Sequence, residues 1–165
     1  MLIHARISCM IDLDTIDRDI LDRLQTDGRL PNNDLAAQVG LSPSATLRRV
    51  RRLEDVGIIA GYAMLVDPVR VGRLVDVFVE ISLHSQSEEA LSAFEDAVSE
   101  CPEIMSCHLM AGESDYLIHL TVHDTLDYER IHKQYLSRFP GVARIRSSFA
   151  IRKIYDTTKY DLSAK

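Results

Sequence analysis

LAAQVGLSPSATLRRVRRLEDVG, residues 35–57, contains two helical patterns separated by one glycine. After Pro31, Asn32 or Asn33 is available as a cap, and Leu35, Ala36 and Val39 fall on one face before Gly40, which can take the positive φ of a tight turn. Ser42 then stands where an N-cap belongs, with Pro43 at the first helical position, where a missing N–H costs nothing. Leu47, Val50 and Leu53 recur every three residues as an inward stripe, leaving Ser44, Thr46, Arg48, Arg49, Arg51 and Arg52 around the exposed surface. Short hydroxyls near a helix start can approach base edges, and arginines can fork onto guanine or clamp phosphates. Helix, tight turn and helix of this composition predict a DNA-reading helix-turn-helix with Ser42, Ser44, Thr46, Arg48, Arg49, Arg51 and Arg52 at the duplex. The competing reading of the arginines is a solvated face paired with Glu54 and Asp55.

Toward the N-terminus, IDLDTIDRDILDRLQTDGR (residues 11–29) spaces Leu13, Ile16, Ile20, Leu21 and Leu24 as an amphipathic helix, with Asp12 or Asp14 as cap and Gly28 as stop. The preceding MLIHARISCM lacks the core and cleavage site of a signal peptide, and Met10 is an alternative initiator. Apolar runs fall well short of the roughly 20 residues that span a bilayer, so a cytoplasmic protein with no membrane partner is expected. Cys9, Cys101 and Cys107 are odd in number and form no CxxC pair, which points to reduced packing residues. A net charge of −6 argues against indiscriminate coating of nucleic acid. A local basic patch is compatible with it, because Arg48, Arg49, Arg51 and Arg52 lie together.

Toward the C-terminus, Gly57, Gly61, Pro68 and Gly72 punctuate a connector that predicts a short strand at Tyr62 to Val66 and then a linker. LVDVFVEISLH, from Leu74, alternates strictly: Val75, Val77, Val79, Ile81 and Leu83 against Asp76, Phe78, Glu80, Ser82 and His84. A helix follows, capped by Ser85 or Ser87, with Ala90, Leu91, Phe94, Ala97 and Val98 inward and Pro102 closing it. Strands at about Ile104–Met110 and Tyr116–Val122 flank the turn AGESD. A second helix turns Leu126, Ile131, Tyr135, Leu136 and Phe139 inward, and VARIRSSFAIRKIY is the last strand. The order β-α-β-β-α-β is that of a split βαβ, ferredoxin-like sheet with both helices on one face.

The fold expected is therefore α+β: a winged helix-turn-helix over residues 11–61, a strand and linker over 62–73, and a ferredoxin-like domain over 74–156. Phe78 and Phe149 are placed on the uncovered sheet face, where exposed apolar surface predicts a homodimer. Pairing also serves the first domain, since two helix-turn-helices can read half-sites a helical turn apart.

Three segments resemble the Lrp/AsnC (leucine-responsive, feast/famine) family: LDTIDRDILDRLQTDGR, LAAQVGLSPSATLRRVRRLEDVGIIAGYAMLVDP and CHLMAGESDYLIHLTVHD. The resemblance runs from about Leu13 to Tyr155. It implies a transcriptional regulator of promoter DNA that dimerises through the sheet domain, is often assembled into octamers, and responds to a free amino acid held between dimers. No cofactor or metal is implied. The effector would sit near Gly112, Glu113, Ser114, Asp115 and Tyr116, with Leu109 and Met110 as side walls. The chemistry suits a zwitterion: Gly112 permits close approach, turn N–H groups can hold a carboxylate, and Asp115 can accept from an ammonium.

Two other classes compete. His108, His119, His123 and His132 with Cys101 and Cys107 are possible metal ligands, His119 and His123 standing four apart, but they form no compact Cys/His cluster. Asp115 with His119 is a pair without a third partner, and no Ser-His-Asp constellation, P-loop or GxGxxG after a strand is legible, so no catalytic residue is assigned.

Overall fold

The computed structural model describes residues 12–162, so Cys9 and the choice between Met1 and Met10 lie outside the described residues. The described residues divide into two compact units: 12–65 together with 156–162, and Val66–Tyr155.

The first unit contains α1 (Thr15–Thr26), α2 (Asn32–Val39) and α3 (Pro43–Asp55). Asp14 caps α1 by accepting the Asp17 N–H, and the Asp17 side chain returns to the Asp14 N–H in a capping box. The helix stops at Asp27 rather than Gly28. Neither asparagine caps α2: Pro31 holds that position, and the Asn32 amide instead donates to the Pro43 carbonyl at 2.9 Å, tying α2 to the start of α3. Gly40 ends α2 at φ 68°, the left-handed conformation that its lack of Cβ permits. Ser42 caps α3 with Pro43 behind it, as expected. Ile20, Leu21, Leu35 and Leu53 form the core of this unit.

The inward stripe of α3 differs from the expected one. Thr46 is 0% exposed and Leu47 is 39% exposed, so the buried series is Thr46, Val50, Leu53, at spacings of four and three, rather than Leu47, Val50, Leu53. Thr46 tolerates burial because its hydroxyl donates to the Ser42 carbonyl at 3.1 Å. Tyr62 to Val66 form no strand; a strand needs a neighbour to pair with, and this extended segment has none among the described residues.

The second unit is a four-stranded antiparallel sheet ordered β2-β3-β1-β4, from β1 (Val75–Leu83), β2 (Ile104–Leu109), β3 (Tyr116–Val122) and β4 (Val142–Phe149). With α4 (Glu88–Ser99) and α5 (Thr125–Gln134) it makes the ferredoxin-like βαββαβ arrangement. Val77, Val79, Ile81 and Leu83 alternate inward from β1 and meet Ile118 and Leu120 of β3, Phe94 and Val98 of α4, and Ile131 of α5. Ser87 caps α4. Leu126 is exposed in the first turn of α5 instead of packing inward. After Tyr135 the chain tightens into a single 3-10 turn, which buries Leu136 and leads Phe139 into the core.

The last strand is shorter than its apolar pattern suggests: its pairing with β1 ends at Phe149 opposite Val77, followed by one further bond from the Ala150 N–H to the Asp76 carbonyl. Phe149 also corrects the expectation for the uncovered face. It lies opposite Val77, an inward residue, and packs edge-on against Tyr128 of α5 at 5.0 Å. Phe78 does face away from the helices, stacked on His119 at 4.8 Å. Around it lie Asp76 bonded to His119 at 2.7 Å and an ion pair of Glu80 with Arg146, so this face mixes apolar and charged groups.

Candidate nucleic-acid interface and effector turn

The four arginines of α3 separate into two pairs. Arg49 donates through Nη1 to Asp14 at 2.6 Å and to Asp17 at 2.8 Å, and Arg52 bonds the other oxygen of Asp17. Asp17 is 1% exposed, so two guanidiniums answer one buried carboxylate. Hydrogen bonds from the Asp17 N–H and then from Arg49 hold the Asp14 carboxyl below its ordinary range, and the same carboxylates push Arg49 upward. Both arginines thus tie α3 to α1.

Arg48 and Arg51 are exposed and make no hydrogen bond or ion pair among the described residues. With the exposed Ser44 they stand at spacings of four and three, which places them on one face of α3. Ser42 is occupied as the cap, accepting the Ala45 N–H at 3.3 Å and lying 3.2 Å from the Ser44 hydroxyl. Thr46 is buried, so the exposed face of α3 carries Ser44, Arg48 and Arg51. The sequence carried one signal of this division: Asp17 falls on the Leu13, Ile20, Leu21, Leu24 stripe, where an acid needs a buried cation.

In the second unit the segment from Met110 to Asp115 is pinned at its base. The Met110 N–H donates to the Asp115 carbonyl at 2.8 Å, and the Asp115 N–H to the Ile81 carbonyl at 2.9 Å. The Asp115 carboxylate accepts the Leu83 N–H at 2.7 Å and the Gln86 amide at 2.6 Å, which fixes the turn against the end of β1. Gln86, which the sequence pattern did not single out, therefore helps to fasten this turn. Glu113 projects outward and pairs with Arg144 at 3.3 Å, while Leu109, Met110 and Gly112 are exposed and Ser114 is half-buried. Tyr116 is not at the surface of the turn: its ring is 1% exposed, packs on Phe94 at 4.5 Å, and its hydroxyl donates to Glu95 at 2.8 Å. Burial and the Glu95 carboxylate both push its phenol upward.

The rival sites do not assemble. His119 pairs with Asp76, whereas Asp115 is bonded to Leu83 and Gln86, so Asp115 and His119 form no dyad. His123 pairs with Asp124 at 3.0 Å and His132 lies against the Tyr128 ring. Among the described residues no three His, Cys, Asp or Glu side chains converge to hold a metal ion. Cys101 is buried and Cys107 half-buried against the sheet core, and burial pushes the Cys107 thiol up to about 11. No helix among them is long and apolar enough to cross a membrane.

Residues 76–160 match the family model of the Lrp/AsnC ligand-binding domain, and residues 13–60 match that of a winged helix-turn-helix DNA-binding domain. The chain belongs to the Lrp/AsnC family. It is 43% identical over 145 residues to the Bkd operon transcriptional regulator of Pseudomonas aeruginosa, covering 88% of this chain and 95% of that one. It is 40% identical over 148 residues to the leucine-responsive regulatory protein of Escherichia coli, covering 90% of each. Among solved structures, a Neisseria meningitidis transcriptional regulator in complex with L-Met superposes with a TM-score of 0.88 at 36% identity, over 92% of this chain and 98% of that one. Like these Lrp/AsnC relatives, the chain is a transcriptional regulator, with a DNA-binding helix-turn-helix and a ligand-binding domain.

Proposed function

We propose that this regulator binds promoter DNA as a homodimer through Ser44, Arg48 and Arg51, and that a free α-amino acid held at Leu109–Asp115 sets its assembly and its DNA affinity. The observation that carries the DNA half is the division of the α3 arginines, two tied to Asp14 and Asp17 and two free on one face with Ser44. For the ligand half, the Neisseria relative bound to L-Met supports an amino acid. The local chemistry supports it as well. Exposed turn groups can take a carboxylate, the Glu113–Arg144 pair offers both charges that a zwitterion needs, and Leu109 and Met110 supply apolar contact.

The turn is open to water, so an amino acid there gains full desolvation only when a second copy covers it. That links binding to assembly into higher oligomers such as octamers, because only a ligand with different affinity for two assemblies can shift their balance. Phe78 and the face around it are the dimer contact in this reading. The protein works by stoichiometric binding at DNA, in the cytoplasm, without catalysis or a cofactor. Calorimetric titration with each of the twenty amino acids, alongside light scattering, tests it. Saturable binding of at least one, with a change in particle size, is expected; binding of none overturns the effector half.

A further inference from the structure

The ligand-binding family model extends to residue 160, yet residues 156–162 pack with the DNA-binding unit. This tail runs along α1. Gln25 grips the Tyr160 backbone with both ends of its amide, accepting the N–H at 2.7 Å and donating to the carbonyl at 3.2 Å. Lys159 Nζ lies 2.7 Å from Asp22 and 3.3 Å from the Thr26 hydroxyl. Arg18 donates to the Leu162 carbonyl at 2.9 Å, and the Leu162 side chain joins the core around Ile20 and Leu53.

Arg18, Asp22, Gln25 and Thr26 share the outward face of α1 by their spacing. Asp17, one residue from Arg18 and so about 100° round the helix, holds Arg49 and Arg52 of α3. One helix thus carries the tail on one face and the recognition helix on another. We propose that residues 156–162 are a strap whose docking on α1 sets the position of α3, and hence the presentation of Arg48 and Arg51. The last strand of the ligand-binding domain acts through it on DNA affinity. Lys159, Leu162 and Gln25 are positioning residues that never touch DNA. Their grips are mostly half-exposed polar contacts, individually weak and readily released, as a regulated contact requires.

The proposal rests on the DNA-binding reading, so wild-type affinity for a duplex selected from a random pool is the reference, and its absence would fail that reading rather than the strap. Three full-length variants, Lys159→Glu, Asp22→Lys and the two combined, are compared with a chain ending at Tyr155. The readouts are duplex affinity and hydrogen exchange of α1. Asp22→Lys is decisive, because added positive charge alone would tighten DNA binding, whereas loss of the strap weakens it. Both single changes are expected to weaken affinity by about two- to fivefold and speed exchange in α1, the range of an exposed ion pair. The swapped pair recovers both, and the shortened chain loses more than either single change. Exchange in Val77–Leu83 stays slow throughout, reporting an intact sheet domain. Unchanged affinity and α1 exchange in the shortened chain, or tighter binding by Asp22→Lys, would overturn the strap.

Discussion

Arg49 Nη1 lies 2.8 Å from a carboxylate oxygen of Asp17, a residue 1% exposed at the interface of α1 and α3. This pair makes the orientation of the recognition helix depend on an acid some thirty residues upstream. Removing the acid leaves two guanidiniums without their shared partner, and breaking a buried pair costs about 3–5 kcal/mol. Because Arg49 and Arg52 reach solvent, screening brings the cost below that range. Asp17→Ala is expected to lose about 2–3 kcal/mol in urea unfolding; a loss within experimental error would show that the pair does not hold the helices together.

Arginine substitutions should divide along the same line. Arg48→Ala and Arg51→Ala are expected to weaken duplex binding by about 1–3 kcal/mol where the lost contact is bidentate to a base, or to lower the salt slope by about one where it is to phosphate. Neither should change the urea midpoint. Arg49→Ala should lower the midpoint first. The reverse pattern, with Arg49 affecting only affinity and Arg48 only stability, contradicts the division.

The pH dependence follows from Asp14. Its carboxyl is held low in the folded protein by the Asp17 N–H and Arg49, so its contribution is present above the ordinary carboxylate pKa. That contribution is lost as the pH falls through the lowered folded value. Wild type should therefore lose stability more steeply than Asp14→Asn between about pH 5 and pH 2, measured by urea midpoints. Parallel curves would mean that Asp14 gains nothing on folding.

Cys107 should be inert. Its thiol, pushed up to about 11 by burial and then by Glu95, is almost wholly protonated at neutral pH, and thiolate is the reactive form. Iodoacetamide at pH 7.5 should label the Cys107 peptide far more slowly in the folded protein than in urea, read by peptide mass. Equal rates would show an open site.

Most of the architecture could be read from pattern. The strict alternation from Val75 to Leu83 determined both faces of the central strand, and Ser42-Pro43 with Gly40 determined the two helices of the DNA-reading motif. What escaped depended on partners far away in sequence. Thr46 looked like a surface hydroxyl because only tertiary packing places it in the core, where a local bond to Ser42 makes burial tolerable. Arg49 and Arg52 looked equivalent to Arg48 and Arg51 until Asp17 was seen beneath them. Phe149 was assigned to the wrong face because the register of β4 against β1 pairs it with Val77. The turn at Gly112–Asp115 was legible between two strands and its link to an effector came from family resemblance; its fastening by Gln86 and Leu83 came from geometry alone.

Control of DNA affinity by an amino acid at this turn is measured as affinity for the selected duplex with and without each amino acid, in wild type and Asp115→Ala. The expected result is a change of several-fold with at least one amino acid, L-methionine among those tried, and no change in Asp115→Ala, whose turn is no longer fastened to Leu83 and Gln86. Affinity unaffected by all twenty in the wild-type protein, or a response that survives in Asp115→Ala undiminished, would contradict it.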